Sequence, residues 1–168
     1  EFHLGEKVMD IYIARQPIFD RNMDVYGYEL LYRGSTNNFY EGIDDNKSTA
    51  ELINNAFLTM HIYELTGRTK AFINFSQDLL INEIPLLLPA DSIVVEVLER
   101  VEINEDVIEA CRKLSESGYL IALDDFIFNE SYLPLLDIAN IVKIEVSAVD
   151  CEIQRKLIKQ YKNKIKFL

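Results

Sequence analysis

The chain has 168 residues, 49% hydrophobic and 11% aromatic, which suits one globular domain able to bury a core and excludes a disordered tail. Twenty-eight acids against 17 Lys and Arg leave a formal charge of −11, which disfavours a nucleic-acid backbone or an anionic membrane, so no DNA, RNA or membrane contact is expected. Cys111 and Cys151 lack metal-type spacing and fit packed thiols in a reducing, cytoplasmic setting, and the apolar run "LLINEIPLLLPA" is interrupted by Asn82, Glu83, Pro85 and Pro89, too often for a membrane span.

In chain order, residues 1–8, "EFHLGEKV", precede Met9 and read as a short leader or expression remnant outside the fold. "DIYIARQPIFD" and "DVYGYELLYR" are rich in strand formers and separated by "RNM", which predicts an opening hairpin. A helix is expected from about Ser48 to Gly67, then a strand "KAFINF" and a short helix "SQDLLINEI" capped by Ser76. "SIVVEVLE" predicts a strand, and "NEDVIEACRKLSESG" a helix with Asn104 as N-cap and Gly118 as its stop. "YLIALDD" predicts a strand, "SYLPLLDI" a short helix, "NIVKIEV" a strand, "CEIQRKLIKQYKN" a helix, and "KIKFL" the opening of one more strand. Alternating strands and helices imply an α/β fold with a parallel sheet and right-handed crossovers. Length favours an open doubly wound sheet over part of an eight-fold barrel, whose usual length is about 250 residues. The polar residues favour the barrel.

In both architectures ligands gather beyond the carboxyl ends of parallel strands. Glu29 lies in the second strand, Asn74 closes "AFIN", Glu99 closes "IVVEVLE", Asp124 and Asp125 close "YLIALDD", and Lys143 and Glu145 lie in "IVKIE". Singly, each has a plain explanation: an exposed strand residue, a turn, a cap, a surface ion pair. Their repetition at the same end of consecutive strands favours one shared site. An all-oxygen set of Glu, Asn, Glu and Asp suits Mg²⁺, Mn²⁺ or Ca²⁺ rather than zinc, and two such ions could hold the oxygens of an in-line phosphoryl displacement.

Six motifs in order resemble the EAL family, whose members hydrolyse or bind cyclic di-GMP on a (β/α)8 barrel. These are "RQPIFD" (15–20), "YELLYR" (28–33, with Leu30 where the family's alanine stands), "FINFS", "VEVLE", "ALDDF" and "VKIE". The resemblance covers the chain from about Ile11 onward. It implies an incomplete TIM-type (β/α)8 barrel with parallel strands and an N-terminal hairpin, with residues 9–168 forming the N-terminal portion of an EAL-like domain. It further implies a two-metal site for Mg²⁺ or Mn²⁺, with Glu29, Asn74, Glu99 and Asp124 as metal ligands and Asp125 serving the second metal or the water. Lys143 and Asp125 become the catalytic pair, Arg33 forks onto a ligand phosphate, and Gln16 contacts a guanine edge. The opening strands look most like the subgroup in which a C-terminal HDOD domain follows.

The departures carry expectations too. The family has glycine after "DDF"; here Ile127 follows, and a β-branched residue does not take glycine's positive φ cheaply, so this loop must run differently. Glu145 stands where aspartate is common. The family's later glutamate and glutamine motifs do not occur in the 168 residues, which predicts a fragment of a longer barrel with open strand edges, a preference for a homodimer, and negligible hydrolysis by this segment. Three functions stay open: a cyclic di-GMP phosphodiesterase in its complete form, a non-catalytic cyclic di-GMP-binding module, and an interaction domain.

Overall fold

The computed structural model describes residues 12–33, 62–127, 130–144 and 151–168. The expected hairpin is present as β1 (Tyr12–Phe19) and β2 (Val25–Arg33), antiparallel, with Gln16 opposite Glu29. Asp20 shapes its turn, because one carboxylate oxygen accepts from the backbone N–H groups of Asn22 at 2.8 Å and Asp24 at 3.1 Å. The start of the helix expected at Ser48 lies outside the described residues; its end is α1 (Ile62–Thr66), followed by Gly67 at φ 59°.

Strand and helix then alternate as β3 (Lys70–Phe75), α2 (Gln77–Ile81), β4 (Ile93–Val97), α3 (Glu105–Glu116), β5 (Leu120–Phe126), α4 (Leu133–Leu136), β6 (Ile141–Ile144), α5 (Cys151–Tyr161) and β7 (Lys166–Phe167). Single 3₁₀ turns at Ile84–Leu87 and Glu130–Tyr132 fill two connections. The expected caps form: the Ser76 hydroxyl accepts from Leu79 N–H at 3.4 Å, and the Asn104 side chain from Val107 N–H at 3.0 Å. Beyond α3, Gly118 sits at φ 90°, a conformation that suits glycine. Asn140 leads into β6 by pairing with Ile121 twice, once through its backbone N–H and once through its side-chain oxygen, each at 2.9 Å.

The seven strands form one sheet in sequence order, parallel from β2 to β7. Neighbouring strands stand about 4.8 Å apart, so in a flat sheet β2 and β6 would be roughly 19 Å apart. Instead Lys143 of β6 reaches Glu29 of β2 at 3.1 Å, and the Lys166 ammonium of β7 lies 3.5 Å from the centre of the Tyr26 ring of β2. The sheet is therefore curled, which selects an incomplete barrel over the open doubly wound alternative.

Alternation then divides the side chains into two sets. Ala71, Ile73, Phe75, Ile93, Val95, Val97, Ile121, Leu123 and Val142 point outward and join Val107, Cys111 and Leu114 of α3 and Leu135 and Leu136 of α4 in the main core. The fully buried Cys111 is a free thiol, and burial pushes its pKa up to about 12. Phe72, Val94, Ala122 and Ile141 point inward and form a second, smaller cluster against Tyr26, Leu120 and Leu168. The Tyr26 ring meets Phe72 edge-on, with centroids 6.0 Å apart. Gly27 permits the close approach of β2 to β3, since a Cβ there would lie 2.7 Å from both the Lys70 carbonyl oxygen and the Phe72 ring.

Candidate metal-binding centre

Two residues beyond each member of the inward apolar cluster the same strands carry a polar side chain. Phe72 is followed by Asn74, Val94 by Glu96, Ala122 by Asp124 and Ile141 by Lys143. A step of two keeps the same face and moves toward the carboxyl end of each strand. Asn74 stands directly opposite Glu96 in the β3–β4 ladder, and Glu29 joins them from β2. The result is a polar layer stacked on an apolar one.

Glu29, Glu96 and Asp124 each offer an oxygen, and these oxygens lie within 4.8 Å of one another. The Lys143 ammonium sits among them, 2.9 Å from Glu96 Oε1, 3.1 Å from Glu29 Oε2 and 2.5 Å from Asp124 Oδ1. Asn74 Nδ2 donates to Glu29 Oε1 at 3.0 Å and fixes that carboxylate from its other side. At an effective dielectric of about 20, two like charges ~4 Å apart repel by about 4 kcal/mol, so the three acids do not all stay ionised without compensation.

Burial raises the pKa of Glu96 to about 8; Lys143 opposes the rise, while Glu29 and Asp124 add to it. Burial works against the Lys143 ammonium, but Glu96, Glu29 and Asp124 outweigh it and hold its pKa above the usual lysine value. One cation for three acids leaves the centre short of positive charge. Glu96 Oε2, fully buried, has no hydrogen-bond partner among the described residues. A buried carboxylate oxygen without a partner, in an all-oxygen donor set, fits a hard divalent cation.

The sequence-based assignments are distributed unevenly over this geometry. Glu29, Asn74, Asp124 and Lys143 come together as expected. Glu99 does not: β4 ends at Val97, the chain turns with Val101 N–H on the Leu98 carbonyl at 3.1 Å, and Glu99 points away as an exposed side chain. Its backbone carbonyl accepts from the Tyr132 hydroxyl at 3.1 Å. Glu96, which the sequence reading passed over, occupies the buried position. The signal for it was its place as the single charge inside the apolar run of β4, in phase with Val94.

Asp125 follows a break in the β5–β6 register, has φ 42° and is exposed, outside the three-carboxylate group. Gln16 is exposed and pairs across the ladder with Glu29. Its neighbour Arg15 ties β1 down, donating to the Leu65 carbonyl at 2.6 Å with its guanidinium 4.9 Å from the Tyr28 ring centre. Arg33 closes β2 opposite Tyr12; its side chain, like Glu145 and Cys151, falls outside what the structure describes.

A curled parallel sheet with an acidic, cation-seeking centre at its carboxyl end defines a barrel-type α/β domain. Comparisons with known proteins narrow that class. The chain is 42% identical over 139 residues to cyclic di-GMP phosphodiesterase CdgJ of Vibrio cholerae, a match covering 82% of this chain and 32% of that protein. It is 40% identical over 118 residues to the uncharacterized protein YuxH of Bacillus subtilis, covering 70% of this chain and 29% of that protein. The chain thus spans about a third of the length of these relatives.

Among solved structures, the S helix-GGDEF-EAL portion of Vibrio cholerae LapD, bound to cyclic di-GMP, superposes with a TM-score of 0.70 at 15% identity, covering 94% of this chain and 46% of that one. The EAL domain of Mycobacterium smegmatis DcpA superposes with a TM-score of 0.59 at 21% identity, covering 92% of this chain and 76% of that one. No family model matches the chain. The fold is that of EAL domains, and with CdgJ as a relative at this level of identity the chain belongs to the EAL family.

Proposed function

We propose that this segment is the N-terminal part of a domain that binds cyclic di-GMP and, in the complete protein, hydrolyses it to the linear dinucleotide. The observation that carries this reading is the group of Glu29, Glu96 and Asp124 around Lys143, in a chain 42% identical to a cyclic di-GMP phosphodiesterase. Glu29, Asn74, Glu96 and Asp124 would hold Mg²⁺ or Mn²⁺, with Glu96 taking the place that the sequence reading gave Glu99. When bound, such an ion supplies Lewis-acid charge to phosphoryl oxygens.

The chain's own residues divide the remaining work. Gln16, next to Glu29 in the ladder, and Arg33 at the end of the same strand would orient the dinucleotide, the arginine by forking onto a phosphate. Asp125, on the exposed side of the register break, would serve a second ion or hold the water that attacks. Lys143 would donate to charge developing on phosphate. A cytoplasmic setting, a homodimer and a following HDOD domain belong to the same proposal. No helix among the described residues is long and apolar enough to cross a membrane.

A second reading, binding without turnover, is favoured by Ile127 directly after "DDF", which is 52% exposed and leaves the loop without the family's glycine. Calorimetric titration with cyclic di-GMP, with and without Mn²⁺, tests the proposal. Binding that needs Mn²⁺ and is lost in Glu29→Ala supports it; binding indifferent to both the ion and Glu29 would remove the centre from the explanation. Product analysis of the longer protein then separates hydrolysis from binding alone.

A further inference from the structure

The position of Lys143 has a consequence that rests on the metal-site reading above. Its ammonium lies 2.9 Å from Glu96, 3.1 Å from Glu29 and 2.5 Å from Asp124, the same three carboxylates whose oxygens converge within 4.8 Å. A small divalent ion needs contacts of about 2.0–2.1 Å to such oxygens. An ion drawn to the same three carboxylates would crowd the ammonium that already lies within 3.1 Å of each of them. We propose that Lys143 is a tethered counter-ion of the metal-free centre, displaced by the arriving cation and presented to the dinucleotide only once that cation is seated.

Three features of the centre support this exchange. A single ammonium balances one of three acids and leaves Glu96 Oε2 without a partner, so it serves as an incomplete stand-in for a divalent ion. The lysine stem is flexible, and its side chain is 19% exposed against 0% for Glu96, so the lysine is the partner with room to move. Asn74 holds Glu29 Oε1 at 3.0 Å, so Glu29 keeps its place when the lysine leaves. Lys143 is thus a positioning residue in the metal-free state and becomes able to touch ligand in the loaded one. The cation must precede the dinucleotide.

The experiment is calorimetric titration of this chain with Mn²⁺ alone, comparing the unmodified protein with Lys143→Gln and Glu96→Gln. Lys143→Gln is expected to bind Mn²⁺ at least ~10-fold more tightly, because the competitor is gone, and Glu96→Gln more weakly. If the unmodified chain binds and Lys143→Gln binds equally or less well, the exchange is wrong and the metal centre stands. If neither binds, the metal-centre reading falls and the exchange with it.

Removing the ammonium from three acids puts folding of the variant at risk, so a second measurement uses the unmodified chain. Acetic anhydride footprinting is expected to show Lys143 acetylation rising several-fold on Mn²⁺ addition, relative to the exposed Lys162. Acetylation of Lys143 that stays level or falls while Mn²⁺ binds overturns the proposal.

Discussion

The two layers of the inward face differ in chemistry although the same four strands supply both. Phe72, Val94, Ala122 and Ile141 are buried and hold the strands together by apolar contact. One step further along, Asn74, Glu96, Asp124 and Lys143 gather charge that water would otherwise solvate. The lower layer stabilises the curl, and the curl brings together acids that repel each other. The two layers can therefore be probed by separate mutations, although they are neighbours on each of these four strands.

The largest expected effect breaks the lower layer. Phe72, fully buried, packs edge-on to Tyr26, and Phe72→Ala should lower the unfolding free energy by about 3–5 kcal/mol. Urea denaturation followed by circular dichroism would measure it; a loss under ~1 kcal/mol would mean that the small cluster does not hold the barrel.

Next in size is the pH dependence of the upper layer without metal. Glu96 has its pKa raised from 4.5 to about 8, so between those values the folded chain holds a proton that the unfolded chain has released. Stability is greatest below the lower value and falls as pH rises toward the upper one, by up to about 1.4 kcal/mol per pH unit. Glu96→Gln, neutral throughout, should flatten that slope. A parallel slope in the variant and the unmodified chain would assign the effect to another group.

Glu96→Gln should also weaken Mn²⁺ binding by more than the ~10–100-fold typical of outer-shell partners. The smallest effect makes the sharpest contrast with it: Glu99→Gln should leave Mn²⁺ affinity unchanged and stability within about 0.5 kcal/mol, because its side chain is exposed and outside the carboxylate group. A loss of metal binding in Glu99→Gln with none in Glu96→Gln would restore the original sequence assignment.

That reversal of Glu99 and Glu96 marks the limit of what the chain discloses on its own. Local signals carried the elements well. Asn104 and Ser76 are the caps they resemble, Gly118 takes the positive φ expected beyond a helix end, and the hairpin turns where "RNM" interrupts the strand formers. The polar ends of β3, β5 and β6 were legible because each follows an apolar run. The curl was not legible, since it depends on contacts between β2, β6 and β7 that no short window contains. Glu96 was missed for a related reason: choosing between two glutamates in "VEVLE" requires knowing where β4 stops and which residue faces Asn74 across the ladder.

The contact between Glu29 and Lys143 joins positions 114 residues apart in sequence. Contacts of such separation form slowly, after the loop between them has been drawn in. Here β3, β4 and β5 stand side by side between the two ends of the polar layer. The acids are thus scattered along the chain and come together only when the sheet between them is complete. A cation held at such a centre would bind the finished curl and not its partial forms, so added Mn²⁺ would raise the stability of the folded chain.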